Sequence, residues 1–115
     1  MQQQLATSGN VSAATATATL AAVANMTWYI TGFSVTVGGA TALTAVDGTI
    51  TGLKGGTMAF PVFFPTGATL PGTDKTVTFI WPVPASGVNT AVVLSVPSGG
   101  TGNTKSTANL FGYLA

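Results

Sequence analysis

Histidine, cysteine, arginine and glutamate are all missing from these 115 residues. Charged side chains make up 4% of the chain, namely Asp47, Asp74, Lys54, Lys75 and Lys105, against ~25% in an ordinary soluble domain. Each absence removes a chemistry. Without cysteine there is no disulfide framework and no thiolate metal site. Without histidine the many serine and threonine hydroxyls have no imidazole base to activate them. Two aspartates make a poor site for a hard cation, and a net charge of +1 is too small to steer the chain to nucleic acid or an anionic membrane. The expectation is a protein that is not an enzyme, with no metal, cofactor or nucleic-acid partner.

Long apolar runs are missing too. The longest candidate, Ala13 to Met26, is interrupted by Thr15, Thr17 and Thr19 and falls short of the ~18 apolar residues of a membrane helix. Met1-Gln2-Gln3-Gln4 lacks the basic region that opens a secretory signal. The chain is therefore expected to be made in the cytoplasm and to have no membrane span.

What remains is apolar and neutral. Hydrophobic residues make up 46% and mean hydropathy is +0.53. Alanine, valine and leucine supply the apolar part; threonine, serine, asparagine and glycine supply the polar part. A surface of hydroxyls stays wettable, yet it costs less to desolvate than a charged one. This composition suits a surface that is buried in an assembly. The length fits one domain, which can bury roughly two thirds of the surface its unfolded chain exposes.

The patterning is that of strands. Met1 to Asn10 lacks periodicity and reads as an arm, either disordered or laid along a neighbouring subunit, ahead of a single domain over residues 11–115. Ala14 to Leu20 alternates Ala/Thr with period two, which favours a strand although alanine is a good helix former. In Thr27 to Val37, Trp28 and Ile30 hold one parity and Phe33, Val35 and Val37 the other. A switch at Thr31-Gly32 signals a bulge or a passage between two sheets. Leu43 to Leu53 reads as a weaker strand pair turning at Asp47-Gly48, and Lys54-Gly55-Gly56 as a firmer turn. Thr57 to Phe64 alternates, with Met58, Phe60, Val62 and Phe64 on one face and Pro61 marking an edge strand. Pro65 to Lys75 reads as loop. Thr76 to Trp81 places Val77, Phe79 and Trp81 together, and Pro82-Val83-Pro84 breaks that strand. Val88 to Val96 places Val88, Val92, Leu94 and Val96 inward. Pro97 to Thr104 is loop and Ser106 to Leu114 a final strand. About seven or eight short strands make an all-β antiparallel sandwich, jelly-roll-like or immunoglobulin-like. Trp28, Ile30, Phe79, Val92 and Leu94 are its expected core.

Few residues invite a chemical role. Gly99 to Lys105 is glycine-rich and ends in lysine, but its spacing is not that of a phosphate loop. Asp47 and Asp74 read as solvated turn residues. Trp81 with Asp74 and Asn89 is the one combination that could meet a glycan. Tyr29 and Phe63 are aromatics out of phase with their strands, which makes them candidates for a subunit interface. Gln2, Gln3, Gln4 and Leu5 of the arm join them.

Tyr29-Ile30-Thr31-Gly32-Phe33-Ser34-Val35, the run Pro82 to Pro97, Gly102-Asn103-Thr104, Asn109 and Gly112-Tyr113 together resemble small Ala/Thr/Gly-rich virion proteins of tailed bacteriophages. The resemblance implies a head decoration (cement) protein of jelly-roll type. It also implies a homotrimer bound to the major capsid protein on the capsid surface of the virion, without catalytic residues. Related virion proteins imply the alternatives: a tail or fibre module for a receptor or glycan, or a filament subunit that exchanges strands.

Overall fold

Eight strands form two four-stranded sheets in the computed structural model, which describes residues 3–39, 44–64, 73–100, 102–103 and 105–115. They are β1 (Gln4–Thr7), β2 (Ala16–Leu20), β3 (Trp28–Gly38), β4 (Thr44–Leu53), β5 (Gly56–Phe64), β6 (Thr73–Pro84), β7 (Val92–Val96) and β8 (Lys105–Leu114). One sheet has the order β1-β8-β3-β6 and the other β2-β7-β4-β5, and every pairing is antiparallel. The chain crosses from sheet to sheet at every connection except β4–β5. This interleaving is the jelly roll, and it decides between the two sandwich types that the sequence left open.

The core is the inward parity of both sheets. β2 shows the rule at its plainest: Ala16, Ala18 and Leu20 are buried while Thr17 and Thr19 face solvent. Val92, Leu94 and Val96 of β7 lie opposite them in register and are buried as well. Trp28, Ile30, Phe33, Val35 and Val37 of β3 meet Ile50, Phe60, Val62 and Phe64 across the sandwich in one apolar cluster. Phe33 stacks on Phe60 at 4.8 Å between ring centres. Phe79 packs against the cluster but is only partly buried. The indole N–H of buried Trp28 donates to the Ala21 carbonyl at 2.8 Å, so its burial leaves no donor unpaired.

The parity switch in β3 is a bulge. Ile30 pairs with Val83 and Gly112, Gly32 with Thr78 and Phe111, and the register slips between them on both sides. β3 stays in one sheet throughout. On β6 the slip is larger, with Phe79, Ile80, Trp81 and Pro82 standing against Thr31 alone.

Several expectations need correction. Gln4–Thr7 is not a free arm. It is β1, the edge strand on β8, with Gln4 opposite Gly112 and Thr7 opposite Asn109. The attachment continues beyond it: Ser8 and Val11 amides donate to Ala108 and Ser106 carbonyls at 2.9 and 2.8 Å. Backbone pairing needs no side-chain pattern, so the lack of periodicity was no guide. Asp47-Gly48 is not a turn, because β4 runs straight through it. Gly48 lies opposite Phe60, and a Cβ there would stand 2.5 Å from the Phe60 ring; the glycine makes room for an aromatic, not for a turn. Asp47 and Asp74 accordingly sit on strands, opposite Pro61 and Thr36. β6 begins at Thr73, inside the expected loop, and continues through Pro82 to Pro84. Val88 is exposed because β7 starts only at Val92.

One end of the sandwich is tied together by Asn103, which is buried. Its Nδ2 donates to the carbonyls of Gly38, Gly39 and Lys105 at 3.1, 3.3 and 3.2 Å. Its Oδ1 accepts from the Gly99 amide at 3.3 Å and the Ser106 hydroxyl at 3.1 Å. The Ala13 amide donates to its backbone carbonyl at 2.7 Å. Three connections, β1–β2, β3–β4 and β7–β8, thus meet on one residue.

Two stability predictions follow from this packing. Leu94→Ala removes buried atoms between two sheets and should cost roughly 2–5 kcal/mol, read as a lowered denaturation midpoint. Asn103→Ala strands the Gly99 amide and the Ser106 hydroxyl in the interior and should cost about 3 kcal/mol or more. Thr107→Ala, on the half-buried outward side of β8, should leave the midpoint nearly unchanged.

Candidate interaction surface

Among the described residues no three of His, Cys, Asp and Glu gather into a metal-holding group. No helix among them is long and apolar enough to cross a membrane. The charges are dispersed. Lys54 lies in the β4–β5 turn and Lys105 opens β8. Asp74 accepts from the Thr36 and Thr76 hydroxyls, both at 3.4 Å. Thr36 and Thr31 are five residues apart on β3, roughly 16 Å at strand rise. Asp74 pairs with Thr36, whereas Trp81 lies beside Thr31. The Asn89 amide bonds to Met26 in the β2–β3 connection, so the glycan trio of Trp81, Asp74 and Asn89 is not assembled in one place.

The outer faces are built of neutral side chains. On the second sheet Thr17 and Thr49 flank Ser95, and Thr19 and Thr51 flank Val93. On the first sheet Ser34, Thr36, Thr76, Thr78, Thr107 and Asn109 share the outward parity around β3. Towards the other end of that face the residues turn aromatic. Tyr29 and Tyr113 stack at 5.4 Å with their planes 11° apart. Leu5 pairs with Phe111 beside them, and the Gln3 amide donates to the Thr31 hydroxyl.

Of the residues expected to form an interface, Gln3, Leu5 and Tyr29 are therefore brought to one face. Gln4 shares β1 with Leu5 but takes the inward parity, at the lip of the cleft described below. Phe63 is 52% exposed, but it lies on edge strand β5 of the opposite sheet and is not part of this patch. Gln2 falls outside the described residues.

The structure adds two features that the patterning missed. Trp81, expected on the apolar parity with Val77 and Phe79, is 82% exposed on the β6 bulge, beside Ile80 at 89%. A signal was present: Phe79-Ile80-Trp81 does not alternate, and Pro82 and Pro84 lack the amide that a ladder needs. The second feature is a cleft of about 400 Å³ where the sandwich opens between β1 and β2. Leu5 and Ala6 form one lip, Leu20 and Ala21 the other, and Trp28 and Leu114 lie deeper.

No family model matches this chain, and neither a curated protein nor a solved structure matches it. The surface must be interpreted from its own chemistry.

The stacked tyrosines provide a direct check of that surface. A double-mutant cycle with Tyr29→Ala and Tyr113→Ala should return a coupling of about 0.5–1.5 kcal/mol beyond the area lost, measured by chemical denaturation.

Proposed function

We propose that this protein is a structural component of a virus particle, a decoration protein that binds a capsid shell as a homotrimer and stabilises it. The observation that carries the reading is the surface: a jelly roll whose outward residues are chiefly hydroxyl and apolar, with its few charges scattered. A protein that must attach at many equivalent, crowded positions gains from a surface that is cheap to desolvate. Near-neutral copies also repel each other little. The resemblance of the Tyr29 to Val35 and Pro82 to Pro97 segments to tailed-phage virion proteins supports the same reading. The partner is then the major capsid protein, met through apolar and backbone groups. The two alternatives have less support, since the glycan trio is dispersed and β1 completes its own sheet.

Attachment of this kind is insensitive to salt, because there are few charges to screen. Particles carrying the protein should retain it between low salt and ~1 M salt, and replacing Lys54, Lys75 and Lys105 together by Gln should leave retention nearly unchanged. Sedimenting the particles and measuring the bound polypeptide tests this. Release by salt alone, with the shell intact, would show attachment to be electrostatic and overturn the reading; so would failure to find the polypeptide on particles in many copies.

A further inference from the structure

We infer that the Ile80–Trp81 bulge of one copy seats in the β1/β2 cleft of a second copy of this chain, making a head-to-tail contact. The two features lie on opposite edges of the molecule. β6 is one edge of its sheet and β1 the other, three strand spacings or about 14 Å apart. They also lie at the same height. The bulge stands against Thr31, between Ile30 and Gly32. Ile30 and Gly32 pair with Gly112 and Phe111 on β8, and these pair with Gln4 and Leu5 on the cleft's lip. A knob on one edge and an uncharged hollow of mixed polar and apolar lining level with it on the other are the elements of a heterologous contact, which closes into a ring when the rotation allows.

Chemistry and area favour a second copy as the occupant. None of the knob or cleft residues carries a charge, so docking desolvates no ion. A tryptophan contributes roughly 150–250 Å² on burial, and a stable interface takes about 800 Å² from each partner. Trp81 and Ile80 together thus supply a large part of one side, and the strand edges around them can supply the rest. The cleft's ~400 Å³ lies within the 300–1,000 Å³ range of ligand pockets, and Leu20, Val23 and Trp28 line it together with the neutral polar side chains of Gln4, Thr7 and Thr19. Pro82 and Pro84 hold the segment after the knob at fixed φ, which lowers the ordering cost of binding.

The contact draws on the preceding reading only for its ring size of three, and its test needs no particle. Trp81→Ser removes the knob. Ala21→Lys blocks the cleft at an exposed position whose structural contribution is its backbone carbonyl; Gln4→Lys, on the opposite lip and on the inward parity, serves the same purpose if Ala21→Lys alters the circular dichroism spectrum. Sedimentation at micromolar concentration should show the wild-type chain as a discrete oligomer, with Trp81 fluorescence shifting to the blue as it assembles. Each single variant should associate at least about thirtyfold more weakly, as expected when an anchoring tryptophan or its pocket is lost. A mixture of Trp81→Ser and Ala21→Lys should form a heterodimer and no larger species, because one intact knob then meets one intact cleft. A wild-type monomer, oligomers that persist in both variants, or a mixture that stays monomeric would each overturn the inference. Loss of particle binding with self-association intact would instead count against the decoration role alone.

Discussion

The carboxamide of Asn103 makes five hydrogen bonds in a place closed to solvent, and the upper half of the sandwich is arranged around it. A jelly roll joins its sheets by crossing connections, and at this end the crossings carry backbone groups inward that the ladders cannot pair. An ionised side chain could satisfy some of them only at a desolvation cost of several kcal/mol. A neutral amide offers two donors and an acceptor with no such cost. Asn103 spends all of them on glycine carbonyls, the Lys105 carbonyl, the Gly99 amide and the Ser106 hydroxyl. Among the described residues no buried side-chain polar atom is left without a partner.

The same economy extends outward. A chain with five charged side chains cannot rely on ion pairs for specificity, so register is fixed by parity and by fit. Gly48 accommodates the Phe60 ring. Gly32 brings β3 so close to β6 that a Cβ would stand 2.5 Å from the Val77 carbonyl. At the lower end Thr27 and Ala115 exchange both backbone hydrogen bonds, at 2.9 and 3.0 Å, which pins the end of the chain beside the entry to β3. Edges are managed mainly by proline and shortness: β5 carries Pro61, β6 carries Pro82 and Pro84 besides Asp74 and Lys75, and β1 is four residues long. These devices blunt an edge against indiscriminate pairing.

Much of this was legible in the sequence where side chains alternate against a single core. β2, β3, β5, the buried half of β7 and β8 follow from period two alone, and the bulge in β3 from a parity switch at a glycine. The misreadings share one cause. Asp47-Gly48 has the composition of a turn, but the glycine answers to an aromatic across the ladder, a contact that local pattern cannot reveal. Gln4–Thr7 has no pattern because its partner is the backbone of β8, about a hundred residues away. Asn103 sits in a glycine-rich stretch that invites a comparison with phosphate loops. Its role depends on three connections meeting at one end, which only the topology determines. The surface aromatics were half legible: phase placed Tyr29 and Phe63 on the outward parity, but phase has no meaning inside a four-residue bulge.

That bulge is where local rules and the global fold disagree most, and the disagreement is informative. On β6 Val77 and Phe79 share the inward parity with Lys75, and simple alternation would place Trp81 inside after them. Keeping it inside would require a regular ladder through Pro82 and Pro84, which cannot donate. The chain instead inserts extra residues against Thr31 and leaves two large apolar side chains in water on an edge strand that also carries Asp74 and Lys75. Burying them in the chain's own core would have been worth roughly 1.5–3 kcal/mol for each. A fold that satisfies its buried asparagine and fits an aromatic over a glycine does not lack the means to do so. The exposed pair is what the proposed contact between copies would cover, and the strand order puts the cleft between β1 and β2 on the opposite edge of the same molecule.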